Sequence, residues 1–184
     1  DPAPFWSNNK THPVSPAVYD PSASYQFNVT WVDNQQMGYV SIGHNFSGAC
    51  TDYPMSYASS ESYYDYVGLA AGTYEWDSLA TDTFGHENHT YTWIYIVEKA
   101  SSYVNLTLDG LDDNLSVEVG SEVNIPGIRL AGEGDIDLHV EGALINSGSP
   151  VISNMTNFTD PGISNITVSY HETVNYSASY MTYY

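Results

Sequence analysis

Residues 69–98 read LAAGTYEWDSLATDTFGHENHTYTWIYIVE, and their periodicity decides the fold. Tyr74, Trp76 and Ala80 alternate with Thr73, Glu75 and Asp77, the period of two that marks a half-buried strand. Asp82 to Asn88 is polar around a central Gly85, the composition of a hairpin loop. Tyr91, Trp93, Tyr95 and Val97 then resume the inward alternation. Leu69 with Gly72-Thr73-Tyr74 has the form of a tyrosine corner, in which a strand-initial hydroxyl caps backbone behind it. Two such strands form the closing hairpin of a two-sheet β-sandwich.

The rest of the chain can be placed around that hairpin. A sandwich needs about 100 residues, so 184 residues predict two in tandem. Residues 1–20 carry four prolines and no periodicity, which predicts an extended arm, a linker or an edge strand. Phe5 and Trp6 are the apolar pair by which this arm would dock, on its own domain or on a neighbouring molecule. The first sandwich is expected over 21–99. Tyr25, Phe27, Val29 and Trp31 face inward, a turn follows at 33–36, and a short strand surrounds Tyr39, Val40 and Ile42. Residues 45–62 read as a long loop with one or two short strands. Residues 100–102 form a polar joint, and the second sandwich is expected over 103–184. Its inward sets are Val104-Leu106-Leu108, Leu115-Val117-Val119, Val123-Ile125, Ile136-Leu138-Val140 and Ile166-Val168-Tyr170. Val151 to Phe158 is a strand of undetermined phase, and 175–184 the last strand. No stretch has the i, i+3, i+4, i+7 spacing of a helix.

Charge and asparagine placement bound the function. Twenty-two acidic residues face only Lys10, Lys99 and Arg129, a formal net charge of -19. Nucleic acid needs cations to neutralise its phosphates, and anionic membrane surfaces attract basic rather than acidic segments, so neither is an expected partner. No apolar run reaches the roughly 20 residues of a membrane span. The chain starts at Asp1, as expected of a processed form or a piece of a longer protein. Cys50 is the single cysteine, so no internal disulfide can form. It is expected as a small buried apolar residue, with an interchain disulfide or an exposed thiol as alternatives.

Sequons N-x-S/T stand at Asn9, Asn28, Asn45, Asn88, Asn105, Asn114, Asn154, Asn157, Asn165 and Asn175, ten of fourteen asparagines. That is far more than the Ser and Thr content would place by chance. At Asn28, Asn105, Asn114 and Asn165 the middle residue is apolar, so on a strand Asn and Thr lie on the wet face over a core residue. The expectation is a heavily N-glycosylated extracellular protein.

Three stretches resemble known modules. Gly72-Thr73-Tyr74-Glu75-Trp76 leading to Asp82 through Asn88 resembles a hairpin of immunoglobulin-like modules in prokaryotic surface proteins. Pro161-Gly162-Ile163-Ser164-Asn165-Ile166-Thr167-Val168-Ser169-Tyr170, followed by Asn175-Tyr176-Ser177-Ala178-Ser179, resembles the ending of prokaryotic immunoglobulin-like repeats. Gly134 to Gly142, GDIDLHVEG, matches a strand upstream of that ending. Ile163 stands where the repeats usually have Tyr, so the second corner is expected to lack its hydroxyl bond. The resemblance implies an all-β chain of two immunoglobulin-like sandwiches. It also implies the company of surface layers, adhesins and filaments, and the dense sequons with no disulfide favour the archaeal version.

Catalytic groupings are missing: no G-x-S-x-G, no P-loop, no H-E-x-x-H and no C-x-x-C. His44 and Cys50 lie six apart with nothing to orient them, and His86 and His89 flank a sequon that would crowd a metal. No cofactor is expected, calcium being the one candidate. Asp109, Asp112 and Asp113 in a Gly-containing turn, and Asp135 and Asp137 on one strand face, could supply oxygen ligands without completing a known loop. Tyr53, Tyr57, Tyr63, Tyr64 and Tyr66 are the candidates for a sugar-stacking platform. These readings converge on a structural subunit rather than an enzyme. It would belong to an extracellular glycosylated filament or surface layer, copies joining head-to-tail by strand addition. The alternative is a ligand- or glycan-binding adhesin module of a larger surface protein.

Overall fold

The structure is a computed structural model describing residues 2–34, 36–58 (58 by its backbone alone) and 60–184. Asp1 of the arm, Gln35 in the expected turn at 33–36 and Ser59 in the expected loop lie outside the described residues. The chain divides into two compact units, Asp1–Glu98 and Lys99–Tyr184, and the described residues contain strands and no helix.

The first unit contains β1 Phe5–His12, β2 Ala17–Val18, β3 Ser24–Val32, β4 Met37–His44, β5 Thr51–Pro54, β6 Ser56–Ala58, β7 Glu61–Val67, β8 Gly72–Asp82, β9 Glu87–His89 and β10 Trp93–Glu98. One sheet runs β1-β3-β7-β6 and the other β2-β10-β8-β4-β5, with β9 added to β8. Every pairing is antiparallel except β2 on β10. Two sheets in this order make an immunoglobulin-like sandwich. β8 and β10 are its closing hairpin, with Trp93 opposite Trp76 and Tyr95 opposite Tyr74. The corner forms as the sequence predicts: Tyr74 Oη donates to the Ala70 carbonyl at 2.8 Å.

Antibody-type domains place a cysteine two residues beyond that tyrosine, bonded across to the facing sheet. Here the position is Trp76, fully buried, its ring 5.3 Å from Phe27 of β3 and 4.5 Å from Trp93. Phe27 also meets Phe46 at 4.6 Å and Tyr95 at 5.1 Å, so aromatic edges fasten the two sheets where a covalent bond would otherwise stand. A polar stitch adds to them. Trp31 Nε1 donates to Ser78 Oγ at 3.0 Å, and that hydroxyl donates to the Ser41 carbonyl at 2.8 Å, all three residues being buried.

The proline-rich segment is part of this unit. β1 pairs with β3 from Phe5↔Val32 to His12↔Gln26, and Trp6 packs against Tyr91 and Trp93 at 5.6 and 5.3 Å. Tyr95 Oη donates to the Pro13 carbonyl at 2.8 Å. Of the docking alternatives, the structure realises the edge strand on its own domain.

The second unit contains β11 Tyr103–Leu106, β12 Glu122–Ala131, β13 Ile136–Val140, β14 Ala143–Gly148, β15 Val151–Asn157, β16 Ile166–Tyr170 and β17 Ser179–Tyr183. β11-β12-β15 face β14-β13-β16-β17, all neighbours antiparallel, around Leu106, Leu108, Ile125, Ile136, Leu138, Val168 and Tyr170. At Gly127 an added Cβ would lie 2.9 Å from Val168 Cγ2, so β12 approaches the facing sheet as closely as glycine permits. Residues 100–102, read as a joint, pair inside this unit: Ala100 bridges Tyr176, and Ser102 Oγ bonds the Ser177 carbonyl and Ser179 Oγ.

Several expectations are corrected. Val117 and Val119 belong to no strand and are 42% and 58% exposed, because the segment after Leu111 crosses one end of the sandwich instead of entering a sheet. Cys50 is exposed, lying in the turn between β4 and β5. Tyr91, read as inward, is 75% exposed, since β10 begins only at Trp93. Ile163, in contrast, agrees with its reading: it is exposed and has no hydroxyl with which to cap a second corner.

Replacing Tyr74 by Phe should lower stability by about 1 kcal/mol, one net hydrogen bond. Trp76→Ala should cost about 3–5 kcal/mol, since it opens a cavity at the sheet junction. Denaturant midpoints of the two variants check the order. A pH dependence follows from His44, which is buried between the Phe46 and Tyr53 rings at 4.0 and 4.9 Å. Burial holds its imidazole below the usual 6.5, so the unfolded chain takes up the proton first on acidification. Stability should be complete above 6.5 and decline as pH falls below it, and His44→Phe should flatten that part of the curve.

Candidate functional site

The ten sequon asparagines sort by what their side chains do. None is buried: Asn9, Asn114, Asn157 and Asn165 are exposed, and the other six are partly exposed. The strand argument explains the placement, because Val29, Leu106 and Ile166 lie in the cores while Asn28, Asn105 and Asn165 face water. Some amides are already engaged. Asn88 Nδ2 donates to the Pro4 carbonyl at 2.8 Å, and Asn175 Nδ2 lies 3.3 Å from both carboxylate oxygens of Glu133. The sequons also fall unevenly on the sheet edges. β1, β9, β11 and β15 carry Asn9, Asn88, Asn105, and the pair Asn154 and Asn157, whereas β2, β5, β6, β14 and β17 carry none.

The acidic candidates are not brought together. Asp109 Oδ1 accepts the Asn124 amide at 2.8 Å, Asp112 accepts the Tyr183 hydroxyl at 2.8 Å, and Asp113 accepts the Asn114 amide at 2.7 Å. Asp137 meets His171 Nε2 at 2.8 Å, and the Ser147 hydroxyl, then His171, hold its carboxyl below the usual carboxylate range. Asp135 is exposed on the loop before β13. Among the described residues no three His, Cys, Asp or Glu side chains are grouped to hold a metal ion.

The other candidates are likewise separated. His44 is buried and Cys50 exposed, so they form no pair. Tyr53, Tyr64 and Tyr66 pack on the first core around His44 while staying partly exposed, as Tyr63 does, and Tyr57 is 49% exposed. Of the assembly candidates, Trp6 is enclosed by its own unit and Phe5 remains 57% exposed.

Two features escaped the sequence. The first is the tip between β8 and β9. Asp82 is almost fully buried, and its carboxylate accepts the Phe84 and His86 amides at 2.8 and 2.9 Å and meets His86 Nδ1 at 2.7 Å. Burial raises this carboxyl, but the hydrogen bonds from His86 and Phe84 outweigh it and hold it below its usual value. Asp82 thus bonds the backbone of the turn, and Phe84 beyond it has 70% of its surface in water. The second is a cleft of about 460 Å³ at the end of the second unit that holds Tyr184. Leu108, Leu115, Val117, Phe158 and Ile163 line it, and Glu118 and Asp160 contribute its charge.

No protein-family model matches this chain, and no curated protein sequence matches it. Solved structures are similar at low identity. The fibronectin(III)-like modules of Clostridium thermocellum CbhA are 13% identical, covering 96% of this chain and 92% of theirs, with a TM-score of 0.36. An amphioxus IgVJ-C2 molecule is 12% identical over 90% and 97%, TM-score 0.40. A Ca2+-stabilised adhesin with which an Antarctic bacterium binds ice is 14% identical over 95% of this chain and 47% of its own, TM-score 0.35. At these values the likenesses carry no argument about function, and the fold rests on the strand order and cores above.

Glycopeptide mass spectrometry of native material should find the four exposed sequons occupied most completely. Asn175, its amide against Glu133, should be occupied least.

Proposed function

We propose that this chain is a structural, non-catalytic module of an extracellular glycoprotein, and that copies associate head-to-tail into a filament or surface layer. The observation that carries the reading is the sequon pattern. All ten asparagines reach solvent, and strand sequons alternate with core residues, so glycans can cover the sandwiches without disturbing either core. A surface with 22 acids and three Lys or Arg repels itself broadly, which confines self-association to chosen patches. A contact between unlike patches does not close, and so propagates. Strand addition between copies is open at the edges that carry no sequon, β2, β5, β6, β14 and β17, where no glycan stands in the way. The N-terminal segment stays in its own sheet in this scheme, because releasing it would uncover Trp93 and the edge of β3.

Negative-stain microscopy of native material, with the mass of the intact subunit, tests the reading. Regular fibres or lattices of glycosylated subunits are expected. Dispersed particles of much greater mass would overturn it in favour of a segment of a large adhesin.

A further inference from the structure

We infer that a sugar attached at Asn9 lies in the slot that opens between β1 and β10, against Trp93 and Ile94, and there adds to the packing of the first unit. The inference rests on the glycosylation reading above and says where one glycan goes. Its starting point is a bulge. β1 pairs with β3 as Ser7↔Thr30 and then as Asn9↔Val29, so Asn8 is an extra residue, and it takes a φ of 59°, in the left-handed region. A bulge re-aims the side chains beyond it. Without the extra residue, Asn8 and Lys10 would follow Trp6 onto the core side, and Asn9 and Thr11 would face away. With it, Asn9 stands opposite Val29 and Thr11 opposite Phe27, both buried on the inner face of β3. Paired residues share a face. The Asn and the Thr of this sequon therefore both turn inward, while Lys10 turns out to Glu61 at 3.0 Å.

There is room on that inner face because the chain leaves its sheet just beyond. Tyr95 Oη donates to the Pro13 carbonyl at 2.8 Å, the Ile96 amide donates to Ser15 Oγ at 2.9 Å, and Ala17–Val18 pairs with β10 of the facing sheet. At the other end Trp6 packs on Trp93 at 5.3 Å. Between these two closures a slot of about 490 Å³ stays open, walled by Asn9, Thr11, Val14, Trp93 and Ile94. Val14 and Ile94 are 73% and 52% exposed, and Asn9 is exposed although it points inward. No strand of the unit closes over it.

The lining suits an uncharged occupant with apolar faces. On a chain with 22 acids the slot lining contains none, and its one charged residue, Lys10, is paired with Glu61. A neutral pyranose has that character. Its C–H faces lie well against indole and aliphatic surface, the ring face of an aromatic being electron-rich. Thr11 and Ser15 supply hydroxyls in the same wall for the sugar's own. The volume falls in the range of small-molecule sites. The covalent link singles out this sugar: bonded to Asn9 Nδ2, its first residue is held at the wall of the slot, at an effective concentration that a free sugar does not reach.

Equilibrium unfolding of the full chain, followed by tryptophan fluorescence, tests the contact. All four tryptophans, Trp6, Trp31, Trp76 and Trp93, belong to the first unit, so the signal reports that unit alone. The parent and Asn9→Gln are compared in glycosylated form and from a host that attaches no glycan, and glycopeptide mass spectrometry establishes the occupancy of Asn9. Asn9→Gln should raise the unfolding equilibrium constant about tenfold in the glycosylated protein and leave the unglycosylated one unchanged. Ile94→Ser, placed in the slot, should remove most of that difference, which it would not do if the glycan acted only on the unfolded chain. An occupied Asn9 whose loss has the same effect in both forms, or a difference indifferent to Ile94→Ser, would overturn the contact while leaving the glycosylation reading standing. An empty Asn9 beside occupied sequons elsewhere would do the same. Sugar at no sequon would overturn both.

Discussion

The junction of Trp76 with Phe27 is the contact on which the first unit depends. A sandwich of this size must fasten two sheets that share no backbone hydrogen bonds. Where related folds use a disulfide, this chain places an indole against a phenyl ring and stitches Trp31 to Ser78 beside it. The arrangement suits a chain with one cysteine, exposed and far from any bonding role in the core. It also fixes the hairpin of β8 and β10, since Trp93 packs on Trp76 from the paired strand and Trp6 packs on Trp93 in turn. The second unit solves the same problem with aliphatic layers and a glycine at the closest approach.

Outside these cores the surface is built to stay wet. Alternation along the strands puts asparagine, threonine and acids opposite the core residues, so one periodicity supplies both the packing and the solvent-facing sequons. The acids described above, Asp82, Asp109, Asp112, Asp113 and Asp137, are used locally, as acceptors for nearby amides, hydroxyls and imidazoles. Asp82 shows the structural use of such a group: buried, it accepts the backbone amides of a turn that leaves the Phe84 ring in water.

Much of this was legible in the sequence because it depends on a period of two. The strands around Tyr74 to Val97, Tyr25 to Trp31 and Ile136 to Val140 follow from alternation, and the corner follows from Gly72 and Tyr74. The misreadings have a common cause: alternation says that a residue can face a core, not that a core is there. Leu115, Val117 and Val119 alternate perfectly, yet only Leu115 is drawn inward, since no partner strand receives the segment. Tyr53, Tyr64 and Tyr66 look like a polar aromatic loop and turn out to enclose His44, because β5 and β7 lie in different sheets and converge on it. Of the three readings that the four prolines left open, the structure takes the edge strand, and the choice depended on the ring contact of Trp6 with Trp93, residues far apart in sequence. The buried role of Asp82 could not be read at all, since an aspartate before a glycine-containing turn is equally at home in water.

The central claim is that the packing described for each unit is what holds it together. The direct measurement is equilibrium unfolding of the unglycosylated chain, alone, with a reductant, and with a calcium chelator. The account predicts the same midpoints under all three conditions. A midpoint that falls on chelation would contradict it, and would mean that the acidic turns of the second unit carry stability that the hydrogen bonds described here do not explain.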